Sequence, residues 1–439
     1  MRGVFGLAVA TLAGLLGQSL ADPTIARPGG IKDIIITEDN ILNSTTVRDF
    51  EANSVLKTNS AQAGAFPISV TNNFDSGMYM YLTGKDSSGT PVLLGANGQF
   101  VYPQADGTGV PQEIIANVAL PLNAKGQTTQ ITLPQALISA RIWLAHGQLK
   151  FYTVRDGNGV SAIVEPSAAN PNDPSAGIQW GFIEFNYDGT TIYANISFVD
   201  FVGIPLGMGL TLATGEQQVV QGLQGGAVNN ICNGMKQQAS ADGQIWDRLC
   251  TTTASGQALR VLAPNLYESG NPGQFGSYYD GYVNQVWNQY AGQDLVINTQ
   301  TGAGNVACRT ANNQLTCAGD NRAYPKPTVA DIWGCNSGPF AIIGSDNDVH
   351  RAVVPRLCAA FTRSTLLLSG GNVQPSLGAS SYYTVSPTNH YSRVVHQYEV
   401  NGIGYAFSYD DVNPDGENAS GTVAGANPTL LKVTVGGWS

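Results

Sequence analysis

The chain has 439 residues, only 12% of them charged, with 52 glycines and a net charge of −10. That length buries a sizeable core and favours two domains over one. The acidic, sparsely charged composition excludes a nucleic-acid binder, which needs a basic face, and suits a secreted protein acting on a neutral polymer.

Arg2 precedes an apolar run over 4–16 and then Ser19-Leu20-Ala21, a small-x-small cleavage site. Residues 1–21 therefore read as a secretory signal, with the mature chain starting near Asp22. The run is too short to cross a bilayer, and no later one nears the roughly 20 apolar residues a spanning helix needs. The expectation is an extracellular or cell-wall-associated protein with no membrane partner. Residues 22–64 are polar and irregular: an N-terminal extension, a processed piece, or a strand lying on the main body.

From Ala65 short strand-like runs alternate with turn residues. They cover 66–70, 78–82, 92–94, 131–133, 141–144 and 149–154, punctuated by Asp86-Ser-Ser-Gly89 and Asp156-Gly-Asn-Gly159. Such spacing indicates an antiparallel sandwich or barrel. The stretch 180–203, WGFIEFNYDGTTIYANISFVDFVG, has strand composition around a turn at Asp188-Gly189. Alternation puts Glu184, Asn186 and Asp188 on one side, with Ile183, Phe185 and Tyr187 on the other. After the turn Ile192, Ala194, Ile196 and Phe198 share a side that ends on Asp200, an acid closing an apolar row. This stretch reads as the floor of a cleft.

After Pro205 the texture becomes helical. Val220, Leu223, Ala227, Ile231 and Met235 recur at three- and four-residue steps, as do Tyr279, Val283, Val286 and Tyr290. A third helix is expected over 349–368, with Pro355 marking a start or a kink. All six cysteines (Cys232, Cys250, Cys308, Cys317, Cys335 and Cys358) fall in this half. In a secreted chain they suggest three disulfides, and of the fifteen possible pairings nearest-neighbour pairing is the expectation. No cysteine pair or histidine stands at zinc-ligand spacing, so neither a metal nor a cofactor is expected. The C-terminal part returns to strand-like runs at 382–385, 394–398, 404–409 and 430–435. The economical organisation is a β domain over 65–206 and 381–439, interrupted by a disulfide-containing α/β domain over 207–380, with a groove between them.

His146, His350, His390 and His396 form no nucleophile elbow or metal pattern, and His390 and His396 read as structural. The glycine pairs at 225–226 and 370–371 lack the lysine of a phosphate loop. Sequons stand at Asn43, Asn195 and Asn418; Asn195, inside the key strand, should stay unmodified if its side chain faces the cleft.

The Glu184-Phe185 pair followed by 196–206, ISFVDFVGIPL, resembles thaumatin-like proteins and, more closely, the family 64 β-1,3-glucanases of the laminaripentaose-producing type. The runs at 141–144, 149–152, 389–393 and 404–412 extend the likeness. The resemblance implies a mainly β fold, a thaumatin-like sandwich or barrel with a mixed α/β domain, acting on β-1,3-glucan as a monomer without cofactor. It implies Glu184 as general acid and Asp200 as general base, sixteen positions apart as in the family. It also implies substrate contacts at Asn186, Asp188 and Tyr193, where the family carries Thr, Asn and Trp. Asn195 replaces the Asp usual in thaumatin-like clefts, and Asp410 lines the groove or serves a turn. For Asp188 a turn role before Gly189 is at least as good a reading.

Glycosidic cleavage needs a protonated carboxyl on the leaving oxygen and a carboxylate on the opposite face of the sugar. The apolar surroundings of Trp180, Phe182 and Phe185 are expected to raise the pKa of Glu184. With a three-residue turn Glu184 would face Ala194, and a flat hairpin would hold the two acids roughly 20 Å apart. A bend, bulge or different pairing is therefore required. The alternative is a thaumatin-like protein that grips glucan without cutting it. A structural wall protein would carry repeats or Ser/Thr-rich stalks, which are absent.

Overall fold

The computed structural model describes residues 22–46, 65–417 and 421–438; the expected secretory signal and the Asn418 sequon lie outside them. Two sheets carry the β part. One runs, in spatial order, Thr422–Ala426, Thr191–Asn195, Gln179–Tyr187, Leu137–His146, Met78–Lys85, Pro91–Leu94 and Phe100–Val101, with Leu120–Pro121 also paired to Met78–Lys85. The other runs Gln217–Val220, Leu206–Leu212, Pro428–Val435, Phe66–Asn72 and Thr128–Leu133. Neither sheet closes on itself, so among the described residues there is a sandwich and no closed barrel.

The packing follows from period-two alternation. Ile142, Leu144, Ile183 and Phe185 line one face of the first sheet, and the inner rows Ile68, Val70, Leu431 and Val433 line the second. Phe66 stacks on Tyr187 at 4.8 Å where the sheets meet. The opposite face of the first sheet is left to the site.

Among the described residues six α-helices follow: α1 (Ala227–Asp242), α2 (Pro264–Gly270), α3 (Asp280–Gly292), α4 (Val329–Gly334), α5 (Asp348–Thr362) and α6 (His390–Tyr398). The three disulfides pair nearest neighbours, as expected: Cys232–Cys250, Cys308–Cys317 and Cys335–Cys358. A small sheet of Thr24–Ile25, Cys250–Thr252, Ala258–Leu262 and Phe201–Val202 joins the N-terminal segment, the helical region and the end of the key stretch. No described helix is long and apolar enough to cross a membrane.

Several expected elements differ. The first helix starts at Ala227, because Val220 ends a strand and Leu223 forms a bridge with Glu399. Pro355 sits inside α5, whose start is set instead by the Asn347 side chain accepting from His350 N. The run 394–398 is the second half of α6 and not a strand. Asn389 caps that helix by accepting from Ser392 N, and Tyr391, Val394 and Val395 form its buried stripe. The runs 382–385 and 404–409 are turns and bends, with a lone bridge at Tyr405. Within the 22–64 segment, the described part lays two short strands on the body: Thr24–Ile25 beside Cys250–Thr252 and Ile41–Leu42 beside Ser161–Val164.

Candidate active site

Glu184 is carried by the Gln179–Tyr187 strand, and the cross-strand register decides its company. Arg141 lies opposite Glu184 on one side, and Thr83 lies opposite Arg141 on the next strand; Trp143 pairs with Phe182 and with Tyr81. All these side chains rise from the face turned away from the intersheet core. Trp143, Trp180, Phe182 and Phe201 interlock there, with ring centroids 4.8–6.3 Å apart. Phe185, expected among the surroundings of Glu184, points the other way into the core, as period two demands.

Arg141 is the organising charge. Its Nε and Nη2 both lie 3.0 Å from Glu184 Oε1, and its Nη1 donates to Glu165 Oε2 at 3.0 Å and to the Asp39 carbonyl at 3.2 Å. The guanidinium carbon sits 4.1 Å from the centre of the Phe182 ring. Burial works against the charge of Arg141, but Glu184, Glu165 and Asp200 outweigh it and raise its pKa. For Glu184 burial is the largest influence and pushes its carboxyl up; Arg141 pulls down and Glu165 adds a further rise. The Glu184 side chain keeps 13% of its surface exposed, enough to be reached from solvent, whereas Glu165 keeps none.

On the second arm the expected register is corrected. A longer turn pairs Tyr187 with Ile192, so Asn195 and not Ala194 stands opposite Glu184. The cause is Asp188, whose carboxylate accepts from Thr190 N and Thr191 N and shapes the turn. The strand ends at Asn195, and the chain then leaves the sheet. Ser197 bridges to Tyr405, Phe198 N donates to the Tyr405 carbonyl at 2.7 Å, and Tyr391 Oη donates to the Phe198 carbonyl at 2.6 Å. The Asp200 carbonyl then accepts from Ala263 N at 2.8 Å. This departure replaces the flat hairpin that would separate the acids, and it brings Asp200 within electrostatic reach of both Arg141 and Tyr391.

The remaining candidates scatter. Asn186 is buried, and its Oδ1 accepts from Ser139 N at 2.6 Å, holding the bulge in the Leu137–His146 strand. Tyr193 is half-buried on the Glu184 face, and Asn195 is buried beside it with Oδ1 unpartnered among the described residues. Asp410 is 1% exposed and lies in an ion-pair cluster: Arg363 Nη2 and His396 Nε2 each lie 2.9 Å from its carboxylate. Burial favours protonation of Asp410, but His396 and Arg363 outweigh it and hold the pKa below the usual range. Among the described residues no group of three His, Cys, Asp or Glu side chains is placed to hold a metal ion. Two grooves, of about 440 Å³ between α1 and α6 and about 410 Å³ over the Phe66–Asn72 and Pro428–Val435 strands, include neither Glu184 nor Asp200.

Sequence reasoning missed the charge partners. Arg141 stood in a recognisable run but carried no chemical signal, and Glu165 follows the Ser161–Val164 strand in irregular chain. An acid directly after the apolar Ala162-Ile163-Val164 is the one cue that pointed to it.

Beyond geometry, likeness to known proteins decides the family. The sequence profile of the family 64 β-1,3-glucanases matches residues 64–435. The chain belongs to glycoside hydrolase family 64. A glucan endo-1,3-beta-glucosidase of Cellulosimicrobium cellulans is 28% identical over 364 residues, covering 80% of this chain and 62% of the relative. The chain thus spans under two thirds of that relative's length. A solved laminaripentaose-producing beta-1,3-glucanase in complex with laminaritetraose is 26% identical, with a TM-score of 0.72 over 85% of this chain and 98% of the other. The family 64 domain from Clostridium beijerinckii, 20% identical with a TM-score of 0.64 over 85% of this chain and 98% of its own, shares the fold.

Proposed function

We propose that this family 64 chain is a secreted, monomeric β-1,3-glucanase that cleaves laminarin-type glucan to short oligosaccharides by inversion. Glu184 serves as general acid and Asp200 as general base. The observation that carries the reading is the shared field of Arg141, which has one carboxyl with a raised pKa on its strand face and a second acid within reach from the bend. The named activities of the relatives and the laminaritetraose held by the solved neighbour support the substrate class. Three disulfides suit an oxidising, extracellular compartment.

In this mechanism the Glu184 carboxyl gives its proton to the glycosidic oxygen as the C1–O bond breaks. A water on the opposite sugar face attacks C1 and loses its proton to Asp200. Inverting pairs stand roughly 6.5–9.5 Å apart so that this water fits between them. Tyr193, half-buried on the face of Glu184, is the sugar contact this reading favours, while Asn195 stands buried beside it. Asn186, Asp188 and Asp410 act instead through the strand bulge, the turn and the buried ion cluster described above. The buried side chain of Asn195 also argues against a glycan there.

The test is proton NMR of fresh digests of laminarin or a reduced laminari-oligosaccharide. The reading predicts release of β-1,3 oligosaccharides whose new reducing ends appear first as the α-anomer. First appearance of the β-anomer overturns inversion. Binding of glucan with no new reducing ends overturns the enzyme reading in favour of a non-catalytic glucan binder.

A further inference from the structure

We propose that the outer face of the second sheet is a separate β-1,3-glucan-binding surface, built around Trp438, that holds one strand of a glucan matrix while the cleft cuts another. For its ligand this inference rests on the substrate class proposed above.

The backbone places Trp438. The strand Pro428–Val435 ends in Gly436 and Gly437, both at φ 100°, a conformation that residues with a Cβ rarely adopt. Gly436 N donates to the Pro205 carbonyl at 2.8 Å, and Asn73 Nδ2 donates to the Gly437 carbonyl at 3.1 Å, so the turn is pinned on both sides. It sends Trp438 back over the neighbouring strand, Leu206–Leu212, at Gly207 and Gly209. A Cβ on Gly207 would meet Trp438 Cε3 at 2.7 Å, and one on Gly209 would stand 3.8 Å from Cη2. The indole thus rests on the sheet, and its remaining surface lines the groove of about 410 Å³.

From the indole two polar rows cross the sheet. Ile68, Val70, Leu431 and Val433 face the core, so their neighbours Ser69, Thr71, Lys432 and Thr434 face outward. Register sets Thr434, Thr71 and Thr128 side by side in one row, and Lys432, Ser69 and Gln130 in the other. Four strands at the usual spacing make the trough about 14 Å across, room for more than one sugar ring. Ser69 and Thr434 are only 7% and 8% exposed although they face outward, so they form its floor. Thr128, Gln130 and Lys432 stand exposed as its rim. The Thr71 and Thr128 hydroxyls, 2.9 Å apart, share one hydrogen, which leaves the other hydrogen and spare lone pairs for a ligand.

This lining suits a neutral polyol. The chain carries 31 acidic residues, yet among the described residues no Asp or Glu lines the groove, and Lys432 is its one charged member. A polyanion needs a row of cations, which this face lacks. A protein partner needs apolar anchor pockets, and beside Trp438 only Leu430 offers apolar surface here. A pyranose ring has an apolar C–H face that packs on an aromatic ring, and a rim of hydroxyls that donate and accept. Trp438 serves the first, and the hydroxyl and amide rows serve the second. Among neutral polyols the reading of the cleft selects β-1,3-glucan, because a second grip on the same matrix raises the local concentration of substrate at the cleft. Glu184 rises from the far side of the sandwich, so the two surfaces take different strands.

The experiment measures the partition of wild type, W438A and Q130A onto insoluble β-1,3-glucan particles, beside kcat and KM on a soluble laminari-oligosaccharide. W438A should bind the particles about tenfold more weakly, and Q130A about threefold. On the soluble oligosaccharide both should keep kcat and KM within about twofold of wild type. Circular dichroism identifies a W438A chain that fails to fold; Q130A, whose side chain is exposed, then decides by the same readouts. Unchanged partition in the folded variants overturns the inference. So does an equal loss on particles and oligosaccharide, which assigns Trp438 to the cleft. A wild-type dimer in sedimentation that W438A dissolves overturns it in favour of a second copy of the chain. A wild type that binds particles through Trp438 but frees no reducing ends keeps this inference and removes the enzyme reading. One that cleaves the oligosaccharide but binds no particles keeps the enzyme reading and removes this inference.

Discussion

His396 shows how this protein fixes side chains around the site without giving each a chemical role. It lies in α6 with Nδ1 2.7 Å from Glu399 Oε2 and Nε2 2.9 Å from Asp410 Oδ2. Burial alone would lower its pKa, but Asp410 and Glu399 outweigh that and push it up to about 10. A folded pKa above the unfolded value of roughly 6.5 means stability that is complete below about pH 6.5 and lost as pH rises through 10. The denaturation midpoint of the wild type should therefore decline between pH 7 and 10. His396→Gln should be about 3 kcal/mol less stable near neutrality, because Asp410 and Glu399 lose their buried cation, and its midpoint should be flatter over that range. Guanidinium titrations at several pH values check both; an identical slope in wild type and variant contradicts the account. His390 behaves oppositely: burial lowers its pKa to about 4, so it stays neutral here. Both histidines were legible as structural, because no motif surrounded them. The burial of Asp410 was not legible, since its Arg363 and His396 partners lie 47 and 14 positions away in sequence.

Elements meet where the chain leaves the sheet. A Cβ placed on Gly203 would stand 1.9 Å from the Trp180 carbonyl oxygen, so at this point the segment carrying Asp200 lies directly against the strand carrying Glu184. Gly203→Ala must push the two apart. We expect a stability loss of about 1–3 kcal/mol from the clash and a fall in kcat larger than any rise in KM. Steady-state kinetics beside a denaturation curve measure both, and unchanged kinetics would mean that the two acids are not positioned through this contact. Strand alternation made most of the sheet legible in advance, including which face of 180–187 carries Glu184. It failed at α6, where Val394 and Val395 look strand-like although their packing beside Tyr391 follows helical spacing. It also failed at the hairpin register, where one Asp side chain reset the turn.

At the scale of the whole molecule, the site draws on distant parts of the chain. The N-terminal segment supplies the Asp39 carbonyl to Arg141, the strand after 160 leads to Glu165, and the helical region supplies Ala263 N to the Asp200 backbone. The C-terminal α6 and the turn at 404–409 hold the bend from beneath through Tyr391 and Tyr405. Family likeness suggested Glu184 and Asp200 as candidate acid and base, but this convergence belongs to tertiary structure, which no single-strand pattern encodes. The most direct test is to compare Glu184→Gln and Asp200→Asn with wild type, measuring laminari-oligosaccharide turnover and binding on the same preparations. The account predicts turnover lower by at least about 10³-fold in both variants, with glucan affinity kept within a few-fold. Turnover near the wild-type rate in either variant would contradict the assignment of that residue and, for both together, the site itself.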